Sequence, residues 1–318
     1  MVDPTFASLA FPELQSDHVH PLIGGEAKAR LVARLHELGT TQAYRMLGSI
    51  LKRDPDDVPQ DEFWAHTRQS VASGQSVWES DVDFIVVLTT FPGLGSSVMT
   101  EVRVAINSCE EASGETIAAL TAFFNDFRVL SPEPVFVMGI DEYLYRELPL
   151  TCEDESICDG YSMGIEEWRG LSRPVPFDQS PVAQELGLEL SQMTADDLGV
   201  VGESSKINYP REYLEYLLPC SVCIRRKSDQ QIVAWGMAHR DYQLGLMFTI
   251  DAYRRKGLAK HILFALGDRI VDTFMERMRI TDGPFTLSLA IEAYNEQSRR
   301  LFGGVGFVPT SRIMWGVM

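Results

Sequence analysis

The stretch "LMFTIDAYRRKGLAKHI", residues 246–262, joins an apolar run to a cluster of four cations around Gly257. After the glycine, apolar residues recur at the spacing of a helix, at Leu258, Ile262, Leu266, Ile270 and Phe274. We therefore predict a strand followed by a helix that begins just after Gly257. A helix N-terminus has unpaired N–H groups and a positive dipole end, and a glycine lets a ligand approach the backbone closely. The stretch predicts a small anion-binding site.

The overall composition is acidic, with 45 Asp and Glu against 28 Lys and Arg and a formal net charge of -17. Neutralising phosphates needs a basic face, so this balance argues against an extended surface for nucleic acid or for an anionic membrane. No run approaches the roughly 18 apolar residues that a membrane span needs. Neither nucleic acid nor a membrane is therefore expected as a partner, and the cationic cluster is predicted to serve a small ligand.

The N-terminal sequence and the cysteines both favour a cytoplasmic protein. Acids at Asp3, Glu13 and Asp17 precede the first arginine, a pattern that fits neither a signal peptide nor a transit peptide. Five cysteines, an odd number, fit a reducing compartment better than a disulfide framework. Cys220 and Cys223 form a CxxC, but no second pair or histidine cluster follows at metal-ligand spacing. We interpret both as packing residues and predict no bound metal.

The length favours two domains of ordinary size. The segment "SRPVPFDQSP", residues 172–181, contains three prolines and is predicted to be a linker, because proline interrupts both helix and sheet. We therefore assign residues 1–180 to an α/β N-terminal domain and residues 186–318 to a second domain.

The N-terminal domain presents no catalytic pattern. Helical spacing at Leu31, Leu35 and Leu38 and an apolar strand at residues 82–91 indicate mixed α/β structure. Its histidines lack partners at useful spacing and are interpreted as solvated or packed, namely His18, His20, His36 and His66. A catalytic or binding site is expected in the second domain.

A second motif follows the cationic helix. The stretch "YNEQSRRLFGGVGF", residues 294–307, comes after a predicted strand and indicates a short helix that ends at Gly303 and Gly304. The elements in this order resemble the GNAT superfamily of acyl-CoA-dependent N-acyltransferases, over residues 186–318. The residues that match the motifs of the superfamily are Arg254, Gly257, Ala259, Asn295, Ser298, Leu301, Phe302, Gly306 and Phe307.

Within that superfamily the chain looks most like the glycine N-acyltransferase group, whose members carry an α/β domain before the GNAT domain. The strand "DVDFIVVLTTF", residues 81–91, is similar to a strand of that first domain. The resemblance implies an α/β chain with a mixed, mainly antiparallel GNAT sheet in its C-terminal part. It also implies that the N-terminal domain helps to cover the acceptor site.

The resemblance implies acyl-CoA as the co-substrate. Its pyrophosphate is expected on the N–H groups of residues 255–259, its pantetheine arm beside the strand that ends near 250, and its thioester near residues 295–298. The reaction implied is direct attack of a neutral amine on the thioester, with backbone N–H groups stabilising the oxyanion. The predicted cofactor-binding residues are Phe248, Ile250, Arg254, Arg255, Lys256, Gly257, Leu258, Ala259, Asn295 and Ser298.

Two positions depart from the family pattern. Gln243 stands where the glycine N-acyltransferase group has its glutamate base, and Phe302 stands where many GNAT enzymes have a tyrosine acid. Three candidates for the base remain. Asp241 and His239 are predicted to share a strand face with position 243, and Glu292 ends the neighbouring strand. The alternative interpretation of Asp241 and His239 is an exposed turn pair.

The sequence therefore predicts an N-acyltransferase that moves an acyl group from acyl-CoA to the amine of a small acceptor, such as an amino acid, in a ternary complex. Two alternatives share the fold, an acyl-CoA-binding module without catalysis and a protein N-acetyltransferase. Under the enzyme hypothesis, Gln243→Glu is expected to raise kcat, because it restores a carboxylate at the base position of the family.

Overall fold

The computed structural model of the protein describes residues 18–22, 30–31, 33–35, 60–71, 77, 82–92, 98–106, 112–130, 135–207, 209–278 and 286–318. The chain divides into two compact units. The first consists of Met1–Asp159 and Thr310–Met318, and the second is Gly160–Pro309. His36 and Leu38, which the sequence analysis singled out, lie outside the described residues.

The first unit is built on a mainly antiparallel sheet with the strand order β1-β2-β3-β4-β5-β12. Only β4 and β5 run parallel, whereas β12 pairs antiparallel with β5. The strands are β1 (Val19–Pro21), β2 (Gln60–Thr67), β3 (Val82–Pro92), β4 (Val98–Ile106), β5 (Val135–Asp141) and β12 (Val308–Val317). Two helices accompany them, α1 (Gly114–Leu130) and α2 (Glu142–Glu147). Strand β6 (Glu153–Gly164) begins in the first unit and ends in the second.

The core of the first unit consists of apolar residues that recur at helical spacing in α1 and at every second position in β3. Helix α1 buries Leu120, Phe123, Phe124 and Phe127, which lie on one face because they are three or four residues apart. These side chains share a hydrophobic cluster with alternate residues of β3, at Phe84, Val86 and Leu88. Burial of one helix face and one sheet face accounts for the stability of this unit.

The second unit contains an antiparallel sheet with the order β10-β9-β8-β7. Its strands are β7 (Leu188–Ser191), β8 (Ser221–Arg226), β9 (Ile232–Ala238) and β10 (Leu244–Thr249). Strand β11 (Thr286–Glu292) belongs to the other sheet, although it lies next to β10. The helices are α3 (Ile165–Gly170), α4 (Pro181–Leu186), α5 (Leu198–Ser204), α6 (Arg211–Leu217), α7 (Leu258–Met278) and α8 (Glu296–Val305). The predicted mixed α/β fold with antiparallel sheets is confirmed.

Helices cover both faces of the four-stranded sheet. On one face, Leu198 of α5 and Leu214 of α6 share a buried cluster with Trp235 of β9. On the other face, α7 lies against β9 at Gly236, where an added Cβ would come within 2.9 Å of Ile262 Cγ2. The absence of a side chain at Gly236 therefore lets the long helix approach the sheet.

The two units repeat one order of elements, although the sequence shows no repeat. Each has a first strand, three consecutive antiparallel strands, a long helix (α1 or α7), a further strand (β5 or β11) and a short helix (α2 or α8). The units differ at the strand after the long helix. In the first unit β4 pairs with β5, whereas in the second β10 and β11 belong to different sheets. Strand β10 is accordingly an edge strand of its sheet, although it lies next to β11.

The proline-rich segment at residues 172–181 lies inside the second unit, because the chain divides between Asp159 and Gly160. This division differs from the predicted boundary at residues 180–186. Phe177 of the segment is 6% exposed, and its ring centroid lies 5.0 Å from that of His261 in α7. The prolines interrupt regular structure as expected, but the apolar side chain between them packs against a helix.

Trp168 of α3 provides a test of packing in the second unit. Its ring lies 5.1 Å from that of Phe264, and its Nε1 donates a hydrogen bond to Asp268 Oδ1 at 2.8 Å. A Cβ added at Gly267 would lie 2.3 Å from this ring. We expect Gly267→Ala to destabilise the protein by about 1 to 3 kcal/mol through overpacking, measured by urea unfolding.

The matched control is Gly303→Ala in α8, where an added Cβ meets nothing within 4 Å. This change should stabilise the protein by up to about 1 kcal/mol, because alanine favours a helix interior over glycine. Equal effects of the two substitutions would contradict the described contact between α3 and α7.

Among the described helices, none is both long enough and apolar enough to cross a membrane.

Candidate functional site

The junction between β10 and α7 contains two residues with left-handed backbone conformations. A short 3-10 helix, Asp251–Tyr253, leads into Arg255 and Gly257, whose φ angles are 62° and 81°. An added Cβ at Gly257 would meet nothing within 4 Å, so the space beside it is open. Leu258, which is 1% exposed, anchors the first turn of α7 in the core. The N–H of Lys260 donates to the carbonyl of Gly257 at 3.0 Å, whereas the N–H groups that precede it have no intrahelical acceptor and are therefore available to an anion.

The cations of the junction fall into two groups. Arg254 turns back toward β10, where its Nε donates to the carbonyl of Thr249 at 3.0 Å and its guanidinium forms a 2.9 Å ion pair with Asp251. Arg255 and Lys256 are exposed, and no described acid forms an ion pair with either of them. These two side chains provide positive charge at the start of α7 that no acid among the described residues neutralises through an ion pair.

His261, in the first turns of α7, adds little to this charge. Burial lowers the pKa of His261, and the positive charge of Lys260 lowers it further. The imidazole is therefore neutral at neutral pH. The positive potential of the junction comes from arginine, lysine and the helix dipole.

Strand β10 carries a β-bulge in its middle. Gly245 pairs with Met237 and Phe248 with Trp235, so two residues of β10, Leu246 and Met247, lie opposite one residue of β9. Leu246 has a φ of 44°, which is rare for a residue with a side chain. A bulge leaves backbone groups outside the regular ladder. The bulge thus leaves backbone groups of β10 available to a ligand on the strand that leads to the junction with α7.

The predicted residues of the second motif gather at the start of α8. Asn295 is the N-cap of this helix, and its Oδ1 accepts a hydrogen bond from the N–H of Ser298 at 3.1 Å. The N–H of Asn295 donates to the carbonyl of Glu292 at 2.8 Å, which ties the helix start to the end of β11. Glu292 itself is half-buried. Phe302 is 5% exposed, and its ring lies 5.5 Å from that of Phe307, so it has a packing role.

Gln243 and Asp241 lie in a buried turn between β9 and β10. Each is 3% exposed, and Gln243 Nε2 donates a hydrogen bond to Asp241 Oδ2 at 2.5 Å. The prediction that His239 and Asp241 share a strand face with position 243 is wrong, because none of the three lies in a strand. The N–H of Tyr242 donates to the carbonyl of His239 at 2.9 Å to form the turn, and β10 begins only at Leu244. The interpretation of Asp241 as an exposed turn residue is wrong as well.

His239 occupies the start of the same turn and is half-buried. Its Nδ1 lies 3.0 Å from Tyr213 Oη of α6. The sequence indicates His239 as a candidate base but does not indicate Tyr213, because the two residues are 26 positions apart and belong to different elements. The spacing of neither residue indicates the contact.

Three of the N-terminal histidines come together in the structure, although their spacing along the sequence does not indicate this contact. Pairing of β1 with β2 brings His18 and His20 near His66, whose ring lies 5.9 Å from that of His18. His66 Nδ1 is 3.8 Å from Asp83 Oδ2, and Thr116 Oγ1 donates to Asp83 Oδ1 at 2.9 Å. Burial lowers the pKa of His66, which favours its neutral form. The arrangement satisfies a buried carboxylate in the first unit.

The two cysteines of the CxxC, Cys220 and Cys223, are both buried. Burial raises the pKa of the Cys223 thiol. Arg225 beside it forms a buried ion pair with Asp197 at 3.0 Å. Within the residues that the structure describes, no three His, Cys, Asp or Glu side chains are grouped as metal ligands.

Comparison with solved structures identifies the fold as the GNAT fold. A Drosophila protein of a structural genomics programme has a TM-score of 0.64 and 14% identity, over 95% of this chain and 99% of that protein. A tandem GNAT protein from the clavulanic acid biosynthesis pathway has a TM-score of 0.53 and 11% identity, over 93% and 97%. A GCN5-related N-acetyltransferase from Sphaerobacter thermophilus has a TM-score of 0.51 and 11% identity, over 95% and 96%. No family model matches the chain, and no curated protein matches it.

Proposed function

We propose that the protein is an acyl-CoA-dependent N-acyltransferase that acylates the amine of a small acceptor such as an amino acid. The observation that carries this proposal is the junction of β10 and α7. At this junction, exposed cations and helix N–H groups without an intrahelical acceptor lie next to a bulged strand. That strand, β10, is at the edge of its sheet and is not part of the sheet that contains β11. The GNAT fold of the chain supports the same assignment.

The pyrophosphate of the co-substrate is assigned to the start of α7. The N–H groups of residues 255–259 and the side chains of Arg255 and Lys256 would hold it, with Arg254 at its edge. Gly257 is essential to this assignment, because its φ of 81° turns the backbone into the helix and its missing side chain leaves the space open. A helix dipole and two cations together favour a doubly charged ligand over a neutral one.

The pantetheine arm is assigned to the edge of β10. Phe248 lies half-buried near the end of this strand, and Ile250, also half-buried, follows the strand just before the junction. The ring of Phe248 stacks on Trp235 at 5.0 Å, which fixes an apolar wall there. An amide-containing arm can pair with a free strand edge as an added strand does.

The thioester is assigned to the bulge, one step further along the strand. Backbone N–H groups at Leu246 and Met247 would stabilise the oxyanion as the amine attacks the carbonyl carbon. Asn295 and Ser298 at the start of α8 would line the far side. The carbon–sulfur bond then breaks and CoA leaves as its thiolate, so no covalent enzyme intermediate is required. Phe302 is buried and does not supply a proton.

The experiment is a CoA titration followed by product analysis. We expect isothermal titration to give one CoA per chain, because the corresponding helix start of the first unit follows the acidic sequence "NSCEEASGE", residues 107–115, without a cation. Mass spectrometry with a panel of acyl-CoAs and amines should then detect an N-acyl product. Binding of CoA without any product would support the alternative of a binding module. No binding of CoA would overturn the proposal.

A further inference from the structure

The last residue of β10, Thr249, presents its backbone groups to the outer edge of the sheet. Thr249 pairs with Ala234 of β9. The N–H of the next residue, Ile250, donates to the carbonyl of Val233 at 2.9 Å. Because hydrogen-bonded and non-hydrogen-bonded pairs alternate along an antiparallel ladder, Thr249 and Ala234 form a pair without hydrogen bonds. The N–H and the carbonyl of Thr249 therefore point away from β9, toward the edge to which the pantetheine arm is assigned.

The side chain of Arg254 binds this outward carbonyl. Its Nε donates to the carbonyl of Thr249 at 3.0 Å, and its Cζ lies 5.5 Å from the centroid of the Phe248 ring. Its Nη2 lies 2.9 Å from Asp251 Oδ1. A carbonyl, an aromatic ring and a carboxylate thus hold the guanidinium at the end of β10. In this conformation Arg254 covers the apolar wall and uses the carbonyl that an added strand would pair with.

The ion pair with Asp251 is exposed and is therefore easily exchanged. The side chain of Asp251 is 84% exposed and that of Arg254 is 43% exposed. An exposed ion pair contributes little free energy, because water screens both charges and ordering two side chains costs entropy. A pyrophosphate at the start of α7 carries more charge than one carboxylate and offers several oxygens to the planar guanidinium. Arg254 is therefore able to leave Asp251 when such a ligand binds.

From these contacts we infer that Asp251 is a positioning residue that keeps Arg254 on the outer edge of β10 and thereby lowers the affinity for CoA. The inference rests on the proposed function, since it concerns the same CoA site. When CoA binds, the guanidinium of Arg254 exchanges Asp251 for the pyrophosphate. An amide N–H of the pantetheine arm then donates to the carbonyl of Thr249 in place of Arg254 Nε. No covalent bond changes in this exchange.

The first test is the affinity for CoA of Asp251→Asn, measured by isothermal titration. This variant should bind CoA about twofold to fivefold more tightly than the parent, the range that one exposed ion pair contributes. The gain should shrink in about 1 M NaCl, where the Debye length is roughly 3 Å. Asp251→Glu keeps the charge, and its Kd should stay within about twofold of the parental value.

The matched control is Asp272→Asn, which removes one exposed acid from the same junction helix, α7. Position 272 lies 14 residues after Leu258, about 21 Å along the helix at 1.5 Å per residue. This variant changes the net charge of the protein as Asp251→Asn does, but it should leave the Kd for CoA unchanged. An equal gain in both variants would assign the effect to net charge and would overturn the inference.

The second test is a double-mutant cycle with Arg254→Gln. If Asp251 acts through Arg254, then Asp251→Asn should change the Kd by less than about twofold once the arginine is absent. The same gain in both backgrounds would mean that Asp251 repels CoA directly, and this result would overturn the inference. Weaker binding of CoA by Asp251→Asn would show that the acid orients Arg254 toward the phosphates, which would overturn it as well.

The outcomes also separate this inference from the proposed function. A parent protein that fails to bind CoA overturns the proposed function. If the parent binds CoA and acylates an amine, but Asp251→Asn has the parental Kd, then the proposed function stands and the role assigned to Asp251 is wrong.

Discussion

Gly257→Glu is expected to abolish the thermal stabilisation that CoA gives to the parent protein. In the parent, a ligand present at one hundred times its Kd should stabilise the folded state by about 2.7 kcal/mol. A glutamate at position 257 would place a carboxylate in the open space beside the first N–H groups of α7, where the pyrophosphate is assigned. Its charge would repel the phosphates and its bulk would fill their space. Differential scanning fluorimetry with and without CoA measures the effect.

The control for this variant is Gly187→Glu, which follows α4. Gly187 has a φ of 61°, close to the 81° of Gly257, and an added Cβ there also meets nothing within 4 Å. The two variants therefore carry similar backbone strain and the same added charge. The Gly187 variant should lose some stability but keep the full response to CoA. A Gly257 variant that still responds to CoA as the parent does would remove the phosphate site from α7.

The parts of the site that the sequence predicts are those whose residues lie close together along the chain. The periodic apolar residues after Gly257 predict α7, and the glycine and cations predict the anion-binding helix start. Asn295 lies at the predicted start of α8 and caps it. Each of these features depends on neighbours within one or two helical turns, so periodicity and capping rules suffice to find them.

The parts that the sequence does not predict depend on distant contacts. The bulge in β10 is a matter of register with β9, and no residue pattern within β10 specifies it. The turn at residues 239 to 243 looks exposed because it holds charged and polar residues, yet tertiary packing buries most of it. Likewise, His18 and His66 meet only because β1 pairs with β2. A sequence pattern reports local periodicity and leaves such pairings open.

The prolines of residues 172–181 illustrate the same limit at the scale of domains. They interrupt helix and sheet locally, which is why they indicate a linker. Phe177 between them nevertheless packs on α7, and the chain divides earlier, between Asp159 and Gly160. Regular structure and domain membership are separate properties. Proline indicates where regular secondary structure is interrupted, whereas buried apolar contacts determine to which domain a segment belongs.

Gln243→Glu is expected to destabilise the protein by about 3 to 5 kcal/mol at neutral pH, the usual cost of an uncompensated buried charge. The Gln243 amide donates to the Asp241 carboxylate, and both residues are 3% exposed. A glutamate would replace this donor with a second carboxylate. Arg240 is the one arginine or lysine of the turn, so the two acids would leave a net negative charge there. From the structure we therefore expect Gln243→Glu to lower the stability of the protein, whereas the sequence alone predicts a gain in kcat.

The pH dependence of the stability of Gln243→Glu distinguishes an electrostatic cause of destabilisation from a steric one. Two carboxylates that share a buried site raise the pKa of one of them in the folded state above its unfolded value of about 4.3 for glutamate. The folded variant then binds a proton more readily than the unfolded chain does, so its stability falls as the pH rises through that pKa. The penalty should be full at pH 7.5 and should shrink toward pH 5, as measured by urea unfolding. Gln297→Glu, an exposed change on α8, should alter stability by less than about 0.5 kcal/mol at either pH. A Gln243→Glu variant as stable as the parent at pH 7.5 would show that position 243 tolerates a carboxylate, and the base position of the family would again be available for catalysis.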